Sequence, residues 1–114
     1  MHRSMDLIRE ILLAMEASAD GFTQPIMLKG YSEEEIGYHC LLLSEAELIL
    51  AADSTSISSM TPTAVPIRIT WSGYEFLENA RDEKIWSRAK QSISSASFSV
   101  WTSVLAQYVM QTLE

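Results

Sequence analysis

The hydrophobic positions of this chain follow a helical period, change to a period of two near Val65 and return to a helical one. From Met5 to Ala17, Ile8, Ile11, Leu12 and Met15 recur at i, i+3, i+4 and i+7, the spacing of one helical face. Ser4 stands where a helix cap belongs, and Asp6 suits the positive end of the helix dipole. Asp20-Gly21 supplies a turn. Phe22 to Lys29 is too short for a helix and reads as a brief edge strand or an extended connector. A second helix follows. Ser32 with Glu35 forms a capping box, Tyr31 and Ile36 occupy the staple positions, and Glu33, Glu34 and Glu35 fill the first turn. Ile36, Cys40 and Leu43 make its stripe, and the helix is expected to end near Glu47.

Leu48 to Ala52 then reads as a short apolar strand. A loop rich in Ser and Thr follows from Asp53 to Thr63. From Val65 the period is two. Val65, Ile67, Ile69 and Trp71 are expected on a buried face, with Pro66, Arg68 and Thr70 in water. The two strands make a hairpin. A third helix is expected from Thr70 or Ser72, with Ser72 and Glu75 as a further capping box and Gly73 weakening its first turn. Asp82 to Ile93 reads as another helix with Ile85, Trp86, Ala89 and Ile93 inward, and Phe98 to Leu113 as the last.

A length of 114 residues fits one domain and lets roughly two thirds of the unfolded surface be buried. The single cysteine, Cys40, excludes an internal disulfide and suggests a reducing compartment. No apolar run approaches the roughly 20 residues that span a bilayer. The first residues carry Asp6, Arg9 and Glu10 where a signal peptide needs an apolar stretch. The expected location is cytoplasmic, away from the membrane. Net charge is −7, which disfavours general attraction to nucleic acid. The distribution sharpens this point. Between Lys29 and Arg68 there is no cation, while Glu33, Glu34, Glu35, Glu45, Glu47 and Asp53 all lie there.

Catalytic chemistry finds little to work with. His39 and Cys40 are adjacent on a helix and point about 100° apart, so they cannot share a metal as a helical pair would. No strand-Gly-x-Ser-x-Gly-helix elbow and no Gly-rich phosphate loop occurs. Cys40 lies on the apolar stripe near acids, which blunts a thiol. The expectation is a protein without enzymatic activity, cofactor or metal.

Two passages carry a resemblance. Residues 35–49, from Glu35 through Leu42, Ala46 and Glu47 to Ile49, resemble the part of winged-helix regulators where a reader helix is followed by Leu-x-x-Ala-Gly-Leu-Ile. Glu47 stands where those proteins have Gly, so the turn must form without glycine's freedom or differ in shape. Residues 69–77, with Thr70, Gly73, Phe76 and Leu77, resemble the Leu-Thr-x-x-Gly-x-x-Phe-Leu passage after the wing. Over residues 5–93 the chain also resembles domain-of-unknown-function family 2513, often found in phages and prophages, through residues 5–13, 30–36, 69–82 and 86–90. That likeness brings no activity with it, and the winged-helix likeness implies DNA binding only by analogy of fold.

The expected architecture is α+β. A winged-helix-like domain of helix, short strand, helix and two-stranded wing covers residues 1–93, and a C-terminal helix over residues 94–114 packs on it or at a dimer interface. The expected role is that of a small phage- or prophage-associated accessory protein that binds a protein partner through Glu34, Tyr38, Glu45 and Glu47. One alternative is a DNA-binding regulator using Arg68, Arg81, Lys84, Arg88 and Lys90; another is an acidic mimic of DNA that occupies a nucleic-acid-binding protein. Trp101, Leu105 and Tyr108 on the last helix are the candidate seam of a homodimer.

Overall fold

In the computed structural model, residues 1–18, 26–56, 60–93 and 96–113 are described. The architecture is α+β. The order is α1 (Met5–Glu16), α2 (Glu33–Glu45), β1 (Ile49–Asp53), β2 (Ala64–Ile69), α3 (Trp71–Ala80), α4 (Glu83–Ile93) and α5 (Phe98–Leu113). The strands form one antiparallel pair. Chain contacts divide into two compact units, Met1–Tyr74 and Glu75–Glu114. The sequence pattern drew its boundary at residue 93; packing draws it after Tyr74, because α4 and α5 share a core.

Local signals set the helix starts. Ser4 Oγ accepts from Leu7 N–H at 3.2 Å and begins α1. The capping box of α2 is complete: Glu35 N–H donates to Ser32 Oγ, and Ser32 N–H donates to Glu35 Oε1, both at 3.1 Å. Asp82 Oδ1 accepts from the N–H groups of Lys84 and Ile85 at the start of α4. The start of α3 falls at the first of its two expected places, but not with the expected capping box. Thr70, not Ser72, caps it: Thr70 Oγ1 accepts from Gly73 N–H at 3.1 Å and donates to Glu47 O at 2.6 Å. Thr70 N–H also donates to Leu48 O at 3.0 Å. One threonine therefore caps α3 and ties it to the turn that ends α2.

That turn is a Schellman motif. Leu48 N–H donates to Leu43 O, and Glu47 N–H to Ser44 O. Glu47 occupies the left-handed position with φ 65°, the place glycine takes at least cost. A side chain there costs about 1 kcal/mol. Glu47→Gly is therefore expected to raise the unfolding free energy by about that amount, seen as a higher urea midpoint.

Of the possible strand over Phe22–Lys29, residues 26–30 lead into a turn in which Tyr31 N–H donates to Leu28 O at 3.2 Å; residues 22–25 lie outside the described ones. Pro66 gives one reason no third strand pairs with β2 among the described residues. It sits opposite Ala51, and Ser54 N–H donates to Thr63 O in the same register. Hydrogen-bonded pairs alternate, so Pro66 occupies a pair whose backbone groups face outward. A proline there removes an outward donor.

The face assignment of β2 needs correction. Ala64, Pro66 and Ile69 are buried, whereas Val65, Ile67 and Trp71 are exposed. The register shifts between Leu50 and Ala51: Leu50 pairs with Arg68 and Ala51 with Pro66, leaving Ile67 unmatched. This bulge adds one residue to β2 and reverses the alternation on its two sides. The buried side of the hairpin joins Leu7, Ile11 and Leu12 of α1 and Ile36, Cys40 and Leu43 of α2 in the first core.

In the second unit, Phe76, Trp86, Phe98 and Trp101 form an aromatic cluster. Trp86 and Trp101 have ring centroids 4.7 Å apart, and Phe76 meets Trp86 edge-on at 6.3 Å. Trp101 Nε1 has no hydrogen-bond partner among the described residues, so ring packing holds this side chain.

Candidate functional site

The helix that would read DNA in a winged-helix protein is embedded. From Glu35 to Ser44 no residue of α2 is exposed; open positions occur only at its ends, at Glu33, Glu34 and Glu45. Two details show how the flanks are covered. A Cβ on Gly37 would lie 2.9 Å from Thr63 Cβ, so the hairpin loop lies directly against the helix. The Thr61 hydroxyl donates to Glu34 Oε1. On the other side His39 is 1% exposed. Its Nε2 accepts from Ser4 N–H at 2.8 Å, and its Nδ1 lies 2.8 Å from Glu35 O. These partners place the ring proton on Nδ1. His39 is thus a buried tie from α2 to the cap of α1.

The four expected protein-contact residues fare unequally. Glu34 is exposed but accepts the Thr61 bond; Tyr38 is half-buried, with its ring edge-on to His39 at 5.7 Å. Glu45 and Glu47 are exposed where α2 ends. The sequence reading missed the larger open surface. Leu50, Val65 and Ile67 are 44–51% exposed, and Trp71 is 80% exposed at the start of α3. The ladder register puts Leu50 beside Arg68 and Ala52 beside Val65 on the open side of the hairpin. Only the bulge reveals this surface, because plain alternation turns Val65 and Ile67 inward.

The five expected nucleic-acid residues are split. Arg68 belongs to the first unit; Arg81, Lys84, Arg88 and Lys90 belong to the second. Arg81 pairs with Glu78 at 2.9 Å. Arg88 lies 4.0 Å above the Tyr108 ring, and Ser92 Oγ is 3.2 Å from the Tyr108 hydroxyl. Arg81 and Arg88 are therefore engaged within their own unit. The expected dimer residues meet a different use as well. Trp101 and Leu105 are 1% and 0% exposed in the single chain, so the fold spends them on its own core; Tyr108 carries Arg88.

Chemistry at the remaining candidates is muted. Burial pushes the Cys40 thiol up to about 11, leaving it protonated and unreactive at neutral pH. Burial, then the Glu10 and Asp6 carboxylates, raises Tyr31. The Thr55 hydroxyl and N–H hold the exposed Asp53 carboxyl low, and the N–H bond is 2.8 Å. A shallow hollow of about 270 Å³ is lined by Met27, Leu28, Lys29, Tyr31, Glu33 and Ile36. It lies below the usual size of ligand pockets. Among the described residues no group of three or more His, Cys, Asp or Glu side chains could hold a metal, and no helix is long and apolar enough to cross a membrane.

Residues 2–99 match a family described as "Hypothetical protein (DUF2513)". A Haemophilus influenzae protein described as "Uncharacterized protein" is 35% identical over 115 residues, covering 99% of this chain and 95% of that one. No solved structure matches the chain.

Proposed function

The chain belongs to the DUF2513 family, and from that premise we propose that it is a small non-enzymatic accessory protein that acts by binding another protein. The contact surface is the open side of the β1–β2 hairpin, in a unit that also exposes Glu45, Glu47 and Asp53. The observation that carries this reading is the exposure of Leu50, Val65 and Ile67 on the open side of the hairpin, with Trp71 exposed at the start of α3. Apolar groups left open on a folded chain mark contact sites, and an exposed tryptophan is the kind of residue that dominates protein interfaces.

We read the plan of α1, α2 and the hairpin as a winged-helix-like arrangement that does not read bases. The embedding of α2 supports this, because base readout requires a helix with an open face to enter the major groove. Charge supports it too: the first unit holds ten of the fifteen acidic side chains and four of the eight Lys and Arg. A phage or prophage setting, implied by family resemblance, remains part of the proposal.

The test compares the native chain with a Val65→Asp/Ile67→Asp variant. Both are immobilised and exposed to lysate of the source cell, with circular dichroism confirming the variant's fold. The expected result is a partner retained by the native chain and bound at least about tenfold more weakly by the variant. Equal retention by both removes the hairpin surface from the argument. Salt-sensitive binding of mixed duplex DNA with Kd below about 10 µM would instead favour a DNA-binding role.

A further inference from the structure

We infer that the outer edge of β1 takes up an extended segment of the partner as an added strand, and that this segment is apolar at alternate positions and cationic at its ends. The inference rests on the protein-binding reading above and specifies how the partner sits.

The ladder identifies the edge. Ser54 N–H bonds to Thr63 O, and the same register continues through Ala52–Val65, so Ala52 and Val65 exchange backbone bonds. Ala51 and Asp53 occupy the alternate pairs, and their N–H and C=O groups point away from β2. Among the described residues no backbone group bonds to them. Ala51 is half-buried; Ala52 and Asp53 are exposed. The other edge is unsuited. Ala64 and Pro66 are buried there, and Pro66 offers no donor.

Charge and shape select the occupant. Alanines at 51 and 52 leave room beside the backbone. The open face beside the edge carries Leu50, Val65 and Ile67, which an added strand would extend with its own alternate apolar side chains. Glu47 precedes β1 and Asp53 ends it, so basic residues at the ends of the segment meet acids. A second copy fits poorly. Antiparallel pairing through Ala51 would bring Asp53 of each chain toward Glu47 of the other, on chains each at −7.

A short synthetic peptide alternating valine and threonine between terminal lysines is the probe, added to the full chain and followed by NMR. The expected result is saturable binding with Kd below about 1 mM, with amide exchange at Ala51 and Asp53 slowed at least about tenfold. Ala51→Pro places a proline opposite Pro66, at an outward position, and is expected to weaken binding at least about tenfold without changing the circular dichroism spectrum. If that variant does not fold, the peptide N-methylated on alternate amides replaces it and is expected not to bind the native chain. Binding that leaves Ala51 and Asp53 unprotected, undiminished binding after either backbone block, or no binding up to 1 mM overturns strand addition. Partner capture that is lost in Val65→Asp/Ile67→Asp would then still uphold the open-face reading, so the two failures are distinct.

Discussion

Gly73→Ala is expected to destabilise the first unit by about 3 kcal/mol, read as a lower urea midpoint with little change in slope. A Cβ at this position would come within 2.0 Å of Leu48 O and 2.6 Å of Ile69 Cγ2. The first atom is backbone and cannot swing aside. It is also fixed from the other side, because Leu48 O accepts from Thr70 N–H and Leu48 N–H closes the Schellman turn. Relief would require moving the first turn of α3 away from the hairpin, which breaks the Thr70 bonds to Glu47 O and Gly73 N–H. Judged by helix propensity alone, the same substitution gains up to about 1 kcal/mol. Close approach and helix propensity give opposite signs here, so one unfolding curve decides which governs this position.

His39→Leu is expected to cost about 2 kcal/mol. Leucine keeps most of the buried volume but leaves Ser4 N–H without its acceptor at the start of α1. An unpaired donor out of water loses more than the hydrogen bond is worth in the exchange with solvent. The loss should be local as well as global: amide exchange at Ser4 and in the first turn of α1 should speed up more than at β1 or β2. His39→Gln, which can offer an acceptor and a donor, should retain more stability than His39→Leu. Equal stability of native protein and His39→Leu would mean that ring packing, not the bond to Ser4, is what this histidine contributes.

Much of the helical framework was legible because its signals are local. Ser4, the Ser32–Glu35 pair and Asp82 each cap a helix using atoms two or three residues away, so composition over a single turn announces the start. The replacement of glycine by Glu47 was also visible as a demand on the turn, and the chain meets it with φ 65°. Thr70 was less legible. Ser72 and Glu75 have the spacing of a capping box, but Thr70 is selected because its hydroxyl also reaches Glu47 O, a partner 23 residues earlier.

The proposed interaction surface was the least legible part. Glu45 and Glu47 were identifiable as exposed acids, whereas Val65 and Ile67 carry the pattern of core residues. Val65 and Ile67 carry the alternation of a buried face, and only pairing with β1 shows the extra residue that turns them outward. Trp101 and Leu105 show the converse. Their spacing suits a seam between copies, but Trp86 on α4 meets Trp101 within the same chain.

By itself the sequence determined where helices begin, that the hairpin lies between α2 and α3, and that residues 30–67 carry acids without cations. Those properties depend on neighbours within one or two turns and on charge, which needs no fold to be counted. Tertiary structure alone decided which side of β2 is wet, that α2 is enclosed along its middle, that His39 ties to Ser4, and why residue 73 is glycine. Each depends on a partner distant in sequence, and a strand register or a backbone approach is set only when both partners are in place.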